Sequence, residues 1–314
     1  MIRIPNTTLD IFPLGLGGNT FGMTTDAAAS EVVLDAFVAR GGNLIDTADS
    51  YSAWVPGNRG GESETILGNW MKQRGNRSSV IIATKVASHP EFPGLRPDNI
   101  RRAADASLER LRTDCIDLYY AHQEDPAVPI EEIAEAFDGL VRAGKVRHVA
   151  ISNLPPERIS AWMEFSRARG LAIPVALQPE YSLVARRSYE QLSEPLAERY
   201  GLGVFPYFAL ASGFLSGKYR SGSDIEGAAR GRMAGRYLNA DGLRVIEALE
   251  CVASAREVAI ATVALAWVAA RSTITAPLAS ATTVSQLEEL MASAELVLTP
   301  EEVTALNEAS AVFA

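Results

Sequence analysis

Four side chains have the types that proton transfer to a carbonyl oxygen requires: Asp46, Tyr51, Lys85 and His122. A tyrosine phenol has a pKa of about 10, and an adjacent ammonium favours the phenolate and lowers that pKa. A buried ammonium needs a carboxylate, because an unpaired buried charge is costly. A histidine beside the phenol can donate a hydrogen bond to the carbonyl oxygen and orient it. The set predicts carbonyl reduction, which also needs a hydride donor and so implies a nicotinamide.

Taken alone, each residue also has a structural interpretation. Asp46 could cap the turn that follows it, and Lys85 could extend along the surface as lysines often do. A single strand histidine such as His122 is more often structural than catalytic, and His89 and His148 are expected in a loop and in mid-strand. The occurrence of all four at the ends of predicted strands or just beyond them favours an active site.

Short apolar runs alternate with longer amphipathic segments along the chain, which predicts eight strand–helix units. The predicted strands cover residues 14–18, 43–46, 80–85, 116–122, 146–152, 175–178, 203–207 and 273–277. The predicted helices cover residues 26–40, 62–74, 97–111, 130–143, 156–169, 188–200, 242–271 and 284–294. Another helix is expected after the sequence TPEE at 299–302.

The alternation predicts an α/β fold, a (β/α)8 TIM barrel formed by residues 1–314 as a single domain. An open doubly wound sheet is the alternative. In a barrel, chemistry belongs at the carboxyl ends of the strands. Six consecutive predicted strands place a polar residue there: Asp46, Lys85, His122, Ser152, Gln178 and Tyr207.

The composition limits the possible partners. The chain has 314 residues, 47% of them apolar, and a net charge of −9, which disfavours nucleic acid and anionic membranes. The N-terminus lacks the apolar core of a signal peptide, and no apolar run reaches the roughly 18 residues of a membrane span. A cytoplasmic protein is expected. Cys115 and Cys251 fit no metal spacing and are predicted to be small buried residues in a reducing compartment.

The motifs that carry these residues resemble those of aldo-keto reductases, including the branch of potassium-channel β-subunits. The matching motifs are LGLGG at 14–18, DTADSY at 46–51, ATK at 83–85, YYAHQED at 119–125, ISN at 151–153, LQPEYS at 177–182 and ASGFLSGKY at 211–219. The resemblance implies a barrel that binds NADPH in an extended pose, with a long cofactor-covering loop. It implies Tyr51 as the proton donor, Asp46 and Lys85 as its tuning pair, and His122 as the residue that orients the substrate.

The resemblance also implies a set of cofactor contacts. Ser152, Asn153 and Gln178 would bond the nicotinamide carboxamide, and Tyr207 would stack on its ring. The remaining expected contacts are Phe208, Leu210, Ser212, Gly213 and Lys218 at the pyrophosphate, Ser280, Thr282, Gln286 and Glu289 towards the adenosine, and Thr20 and Asp46. The glycines at 15–18 lie too far from the helix expected at Asp26 for a Rossmann fingerprint.

Two positions bear on the choice between NADP and NAD. Many members carry Arg or Lys at the position of Thr282 to hold the 2′-phosphate, and Leu290 replaces an asparagine near the adenine. Arg230 or Arg232 could supply the missing cation. NADP is therefore expected, with NAD as the alternative.

The substrate is expected to be a small carbonyl compound, an aldehyde, ketone or keto-sugar, in contact with Tyr51, Trp54 and His122. Trp54 would form an aromatic wall or else pack within its loop. Two other functions remain open: a cofactor-binding regulatory module with little turnover, and a barrel aldolase that uses Lys85 as a Schiff-base lysine. The sequence does not predict the oligomeric state.

Overall fold

The computed structural model describes residues 1–228 and 230–314. Its centre is a sheet of eight parallel strands: β1 Gly15–Gly17, β2 Leu44–Asp46, β3 Ile81–Val86, β4 Ile116–Ala121, β5 Val146–Ser152, β6 Ala176–Gln178, β7 Gly203–Val204 and β8 Leu278–Ala279. The strands pair in the order β7-β6-β5-β4-β3-β2-β1-β8. Each strand is thus beside its neighbour in sequence, as the alternating units predict.

Backbone hydrogen bonds join the two outer strands of this order and close the barrel. The N–H of Thr275 donates to Val204 O at 2.9 Å, and that of Leu278 donates to Pro206 O at 2.9 Å. These bonds connect the segment that leads into β8 with the end of β7. The fold is the (β/α)8 barrel predicted from the sequence.

Ten helices of seven or more residues lie within the described part of the chain. They are α1 Ala27–Ala39, α2 Glu62–Arg74, α3 Pro97–Leu111, α4 Ile130–Arg142, α5 Pro156–Arg169, α6 Glu194–Tyr200, α7 Ala240–Arg256, α8 Ile260–Ala269, α9 Val284–Met291 and α10 Pro300–Ala309. Asp26 caps α1 by accepting from Ala29 N at 2.8 Å, and Gly170 ends α5 in the left-handed conformation.

Shorter elements complete the chain. The hairpin Ile2–Arg3 and Asp10–Ile11 precedes the barrel, and Ser88–His89 pairs with Phe92–Pro93 in the loop after β3. A π-helical turn, Tyr189–Ser193, leads into α6, and the short helices Gly222–Ile225 and Gly231–Ala234 lie in the long segment after β7.

The strands separate two cores, one inside the barrel and one between the strands and the helices. On β3, Ile81 and Ala83 belong to the inner cluster, whereas Ile82 and Val86 belong to the outer one. This alternation follows the two-residue period of a strand. It means that Lys85 faces the barrel interior and Thr84 faces the helices.

Three expectations from the sequence are wrong in detail. The eighth strand lies at Leu278–Ala279, not at 273–277. The helix predicted over 242–271 is two helices, α7 and α8, bent by 101° at residues 257–259. Cys251 is exposed and Cys115 only half-buried, so neither is a fully buried residue.

Among the described residues, no single helix has the length and apolar composition needed to cross a membrane. The bent pair of α7 and α8 meets that test only when the two are taken together, on length and composition alone.

Candidate active site

Asp46, Tyr51 and Lys85 meet at the carboxyl rim of the barrel. Asp46 ends β2, Lys85 lies near the end of β3, and Tyr51 follows in the loop after β2. Lys85 Nζ lies 2.7 Å from Asp46 Oδ2 and 3.2 Å from the Tyr51 hydroxyl, and it also donates to Thr47 O at 2.7 Å. The Tyr51 hydroxyl lies 3.4 Å from the same Asp46 oxygen.

Lys85 is fully enclosed, with 0% of its surface exposed. Burial lowers its pKa, and the Asp46 carboxylate opposes that effect. An ammonium in this setting is retained because three acceptors surround it. The interpretation of Lys85 as an extended surface lysine is therefore wrong.

The pKa of Tyr51 is raised in the structure, whereas the sequence predicts a lowered pKa. Burial raises it well above the usual range, and the negative charge of Asp46 raises it further. Tyr207 adds to the rise, while the Arg230 guanidinium lowers the pKa. The resting phenol therefore stays protonated, and the adjacent Lys85 ammonium can stabilise the phenolate only as the proton leaves.

His122 follows β4 and faces the Tyr51 ring, with 6.3 Å between the ring centroids and 71° between the planes. Burial lowers the pKa of His122 to about 3, and the charge of Lys85 contributes. Its Nδ1 is buried without a hydrogen-bond partner among the described residues. A buried N–H without an acceptor is costly, so we assign the proton to Nε2.

Four residues expected at the nicotinamide form a connected group on β5, β6 and the end of β7. Ser152 Oγ donates to Gln178 O at 2.8 Å, and Asn153 Nδ2 donates to Ser152 Oγ at 2.9 Å. The Tyr207 hydroxyl donates to Asn153 Oδ1 at 2.8 Å. Asn153 holds φ at 54°, a conformation that a non-glycine residue adopts mainly where the surroundings impose it.

Gln178 also forms a hydrogen bond with the Asp46 carboxylate. Its Nε2 donates to Asp46 Oδ1 at 2.8 Å, the oxygen that Lys85 leaves free. The same amide contacts Tyr120, where it partly offsets the rise that burial causes in the Tyr120 pKa. Gln178 therefore links the expected nicotinamide contacts to the proton-donor group.

The segment after β7 has an unusual backbone. Phe208, Ala211, Ser212, Gly213 and Gly217 all have φ between 47° and 91°. Successive residues with left-handed and right-handed φ make concave groups of N–H donors that suit anions. A Cβ on Gly213 would lie 3.0 Å from Nζ of the exposed Lys218, so a cation stands beside this turn. Leu210 lies half-buried just before the turn.

The residues expected near the adenosine gather at the loops after β1 and β8. Thr20 Oγ1 donates to Ala281 O at 3.4 Å, and Gln286 Oε1 accepts from the N–H and hydroxyl of Thr282 at 3.0 Å each. Glu289 is exposed on α9, one turn beyond Gln286. One of the two glycines of β1 is explained by packing, because a Cβ on Gly17 would lie 2.6 Å from Ser280 Oγ.

Arg230 reaches into the space between these loops and the phenol. Its Nη2 donates to Asn19 Oδ1 at 3.1 Å, and Ser280 Oγ donates to the same oxygen at 2.6 Å. Its charge also lowers the pKa of Tyr51. Arg232 is exposed. Of the two arginines considered from the sequence, Arg230 is the one placed at the site.

Two aromatic side chains border the mouth of the site. Trp54 is 57% exposed and meets the Tyr51 ring edge-on at 6.3 Å. Phe208 is 38% exposed and packs edge-on against Tyr207 at 5.2 Å. Exposed aromatic rings at the rim of a pocket favour contact with a flat or apolar ligand.

The sequence interpretation missed a buried polar group behind the rim. Asp49 is fully buried, and so is Glu64 on α2. Glu64 accepts from Thr84 at 2.5 Å and from Arg110 at 2.6 Å. The polar local sequence gives no sign that these side chains are buried, because it is the packing of α2 and α3 against β3 that encloses them. Asn19 was also missed, and no local signal separates it from other loop asparagines.

The chain resembles known proteins over nearly its whole length. The sequence model of the aldo/keto reductase family matches residues 13–311. The chain is 33% identical to Protein tas of Escherichia coli (strain K12), over 98% of this chain and 96% of that protein. It is 31% identical to norsolorinic acid reductase B of Aspergillus parasiticus, over 97% and 82% of the two chains. It is 32% identical to a probable voltage-gated potassium channel subunit beta of Oryza sativa subsp. japonica, over 90% and 88%.

Proposed function

The chain belongs to the aldo/keto reductase family of oxidoreductases, and on that premise we propose that it reduces the carbonyl group of an aldehyde, ketone or keto-sugar with NADPH, using Tyr51 as the proton donor. The observation that carries this proposal is the chain of contacts from Asp46 through Lys85 to the Tyr51 hydroxyl at the carboxyl rim. A relative that matches 97% of this chain is named norsolorinic acid reductase B, which supports reduction as the direction.

Tyr51 is suited to deliver a proton rather than to remove one at rest. Its raised pKa keeps the phenol protonated, and its hydroxyl lies 3.2 Å from the Lys85 ammonium. As the carbonyl oxygen gains negative charge, the proton moves from the Tyr51 oxygen to it. The ammonium then stabilises the phenolate, a preorganised electrostatic effect that grows in the transition state.

His122 orients the carbonyl in this proposal. It is neutral at physiological pH because its pKa is about 3. With the proton on Nε2, it donates one hydrogen bond to the carbonyl oxygen without competing as an acid. Tyr51 and His122 face each other with 6.3 Å between ring centroids, so both side chains can approach the same substrate group.

The residues present fit a dinucleotide. Ser152, Asn153 and Gln178 offer the donors and acceptors that a planar carboxamide needs, and Tyr207 offers a ring surface. The left-handed turn at 211–213 with Lys218 beside it suits a pyrophosphate. When bound, the nicotinamide supplies the hydride. Arg230 donates to Asn19 in the loop after β1, beside Ser280 of the loop after β8, and for this reason we favour NADPH over NADH.

A regulatory module with little turnover is the second candidate, because the chain also resembles a potassium channel subunit beta. The complete group of Asp46, Tyr51, Lys85 and His122 favours the enzyme. A Schiff-base aldolase is disfavoured, since the Lys85 ammonium is fully engaged by Asp46, Thr47 and Tyr51.

A titration and a substrate panel test the proposal. Fluorescence titration with NADPH and NADH should give saturable binding, tighter for NADPH. Cofactor oxidation is then followed with nitrobenzaldehyde, an aliphatic ketone and a keto-sugar. Turnover of one of them supports the reductase. Tight NADPH binding with no turnover of any supports the regulatory module, and absence of binding to either cofactor contradicts both.

A further inference from the structure

Asp49 is a buried acid with no evident partner. It lies between Asp46 and Tyr51, is 0% exposed, and its backbone N–H donates to Lys85 O at 3.4 Å. Neither carboxyl oxygen has a well-formed hydrogen bond among the described residues, although the adjacent Ser50 N–H is near enough to offset part of the effect of burial. Leaving an ionised carboxylate in such a place is costly, which favours its protonated form.

The charges around Asp49 do not provide a counter-ion. Arg110 on α3 bonds the fully buried Glu64 carboxylate at 2.6 Å, and Lys85 bonds Asp46 at 2.7 Å. These two cations are thus matched by two carboxylates. An ionised Asp49 would be a third carboxylate for the same two cations. Burial raises the pKa of Asp49 well above its usual range, and Glu64 raises it further against the opposing charges of Arg110 and Lys85.

A second unpartnered group lies within the electrostatic influence of Asp49. The hydroxyl of Tyr119, on the outer face of β4, is buried without a hydrogen-bond partner in the part of the chain that the structure describes. Asp49 is the charge with the largest effect on the Tyr119 pKa, which it raises in addition to burial. Neighbouring unpartnered polar groups of this kind are where buried water binds. A neutral Asp49 lets such a site form without an unpaired buried charge.

We propose that the working enzyme carries Asp49 as a neutral carboxylic acid, and that its ionisation sets the alkaline limit of reduction by Tyr51. The charged groups that face Asp49 are Glu64, Arg110 and Lys85, with the Tyr119 phenol as the remaining titratable neighbour.

The effect reaches Tyr51 through Lys85. The negative charge of an ionised Asp49 would offset part of the positive charge of the Lys85 ammonium. Lys85 would then stabilise the Tyr51 phenolate less. Reduction would slow as the carboxyl loses its proton. Asp49 touches neither the substrate nor the proton in flight, so it is a positioning residue. The inference rests on the proposed function.

The first test compares pH profiles of kcat for aldehyde reduction. Asp49→Asn keeps the shape and the neutral charge, so its kcat near pH 7 should stay within about twofold of the original. Its alkaline limb should move to higher pH by at least about half a unit, because the group that titrates there is absent and the next ionisation sets the limit. Asp98→Asn, whose side chain is 88% exposed on α3, should leave the limb unchanged. Coinciding limbs for the original chain and Asp49→Asn overturn the proposal.

The second test needs no turnover and so stands even if the proposed function fails. An acid whose pKa is raised by folding destabilises the fold as pH rises above its unfolded value of about 4. In urea unfolding, the equilibrium constant for folding of Asp49→Asn relative to the original should therefore grow, by up to about tenfold per pH unit, from pH 4 towards pH 8. A ratio that stays constant over this range contradicts a neutral Asp49.

Discussion

Lys85 and Asp46 form an ion pair of 2.7 Å, Nζ to Oδ2, with 0% and 4% of their side chains exposed. Pairs removed from water to this degree gain little net stability, but each partner depends strongly on the other. The pair is therefore better understood as a means of holding one positive charge against the Tyr51 hydroxyl. Its energetics can be tested without knowledge of the substrate.

Lys85→Met should destabilise the fold by about 3–5 kcal/mol, because it leaves the Asp46 carboxylate buried without its cation. The double variant Asp46→Asn, Lys85→Met removes both charges and should recover most of that loss. Urea unfolding of the single and double variants measures the difference. A double variant as unstable as Lys85→Met would contradict this account of the pair.

Tyr51→Phe should lower kcat by at least about 100-fold, the usual contribution of a positioned acid. NADPH affinity should change little, since the expected cofactor contacts lie on other residues. The matched control is Tyr200→Phe, whose hydroxyl contacts Glu164 among the outer helices. Stopped-flow turnover and fluorescence titration separate the two effects. Unchanged turnover in Tyr51→Phe would exclude this residue as the acid.

His122 should make the fold sensitive to acid. The unfolded chain takes up this proton near pH 6.5, whereas the folded state holds the pKa at about 3. Stability contributed by the neutral ring is thus lost as pH falls below 6.5, by about 1.4 kcal/mol per pH unit. His122→Asn should become progressively more stable relative to the original chain from pH 6.5 down to pH 4. Parallel stability curves in urea would show that His122 is not buried as a neutral ring.

Arg230→Met should weaken NADPH binding by about tenfold or more, as expected for a charge-assisted contact to phosphate. Arg232→Met is the matched control, because that arginine is exposed and should have little effect. Fluorescence titrations with NADPH and NADH identify the group that is held: a loss confined to NADPH indicates the 2′-phosphate, and an equal loss for both indicates the pyrophosphate. Equal affinities in the two variants would remove Arg230 from the site.

The positions of Asp46, Tyr51, Lys85 and His122 at one rim were predictable, because these residues end or follow apolar runs that are typical of buried strands. The runs NLID and SVIIATK have the composition of buried strands, and the barrel rule places their ends at one rim. In the structure, Lys85 lies within hydrogen-bond distance of both Asp46 and Tyr51. The direction of the Tyr51 pKa shift was not predictable, because it depends on burial more than on the neighbouring cation.

The break between α7 and α8 shows why other features could not be predicted. Helix α7 ends with Glu257 in the left-handed conformation, φ 54°, a position usually marked by glycine. Without that signal, the periodic pattern continues across the break. The eighth strand was misplaced because STITAP at 272–277 has β-branched residues, whereas the pairing with β1 begins only at the next residue, where Leu278 meets Gly15.

The opposite orientations of Thr84 and Lys85 restrict where insertions and deletions can be tolerated in this chain. Thr84 contacts Glu64 in the helix layer, and Lys85 contacts Asp46 inside the barrel. Inserting or deleting a single residue in β3 would exchange the two environments, placing an ammonium among helices and a hydroxyl in the reaction centre. Loops such as the one that carries Trp54 can vary in length with no such exchange. New substrate ranges are therefore open to loop grafting and recombination, provided that the crossover points fall outside β3.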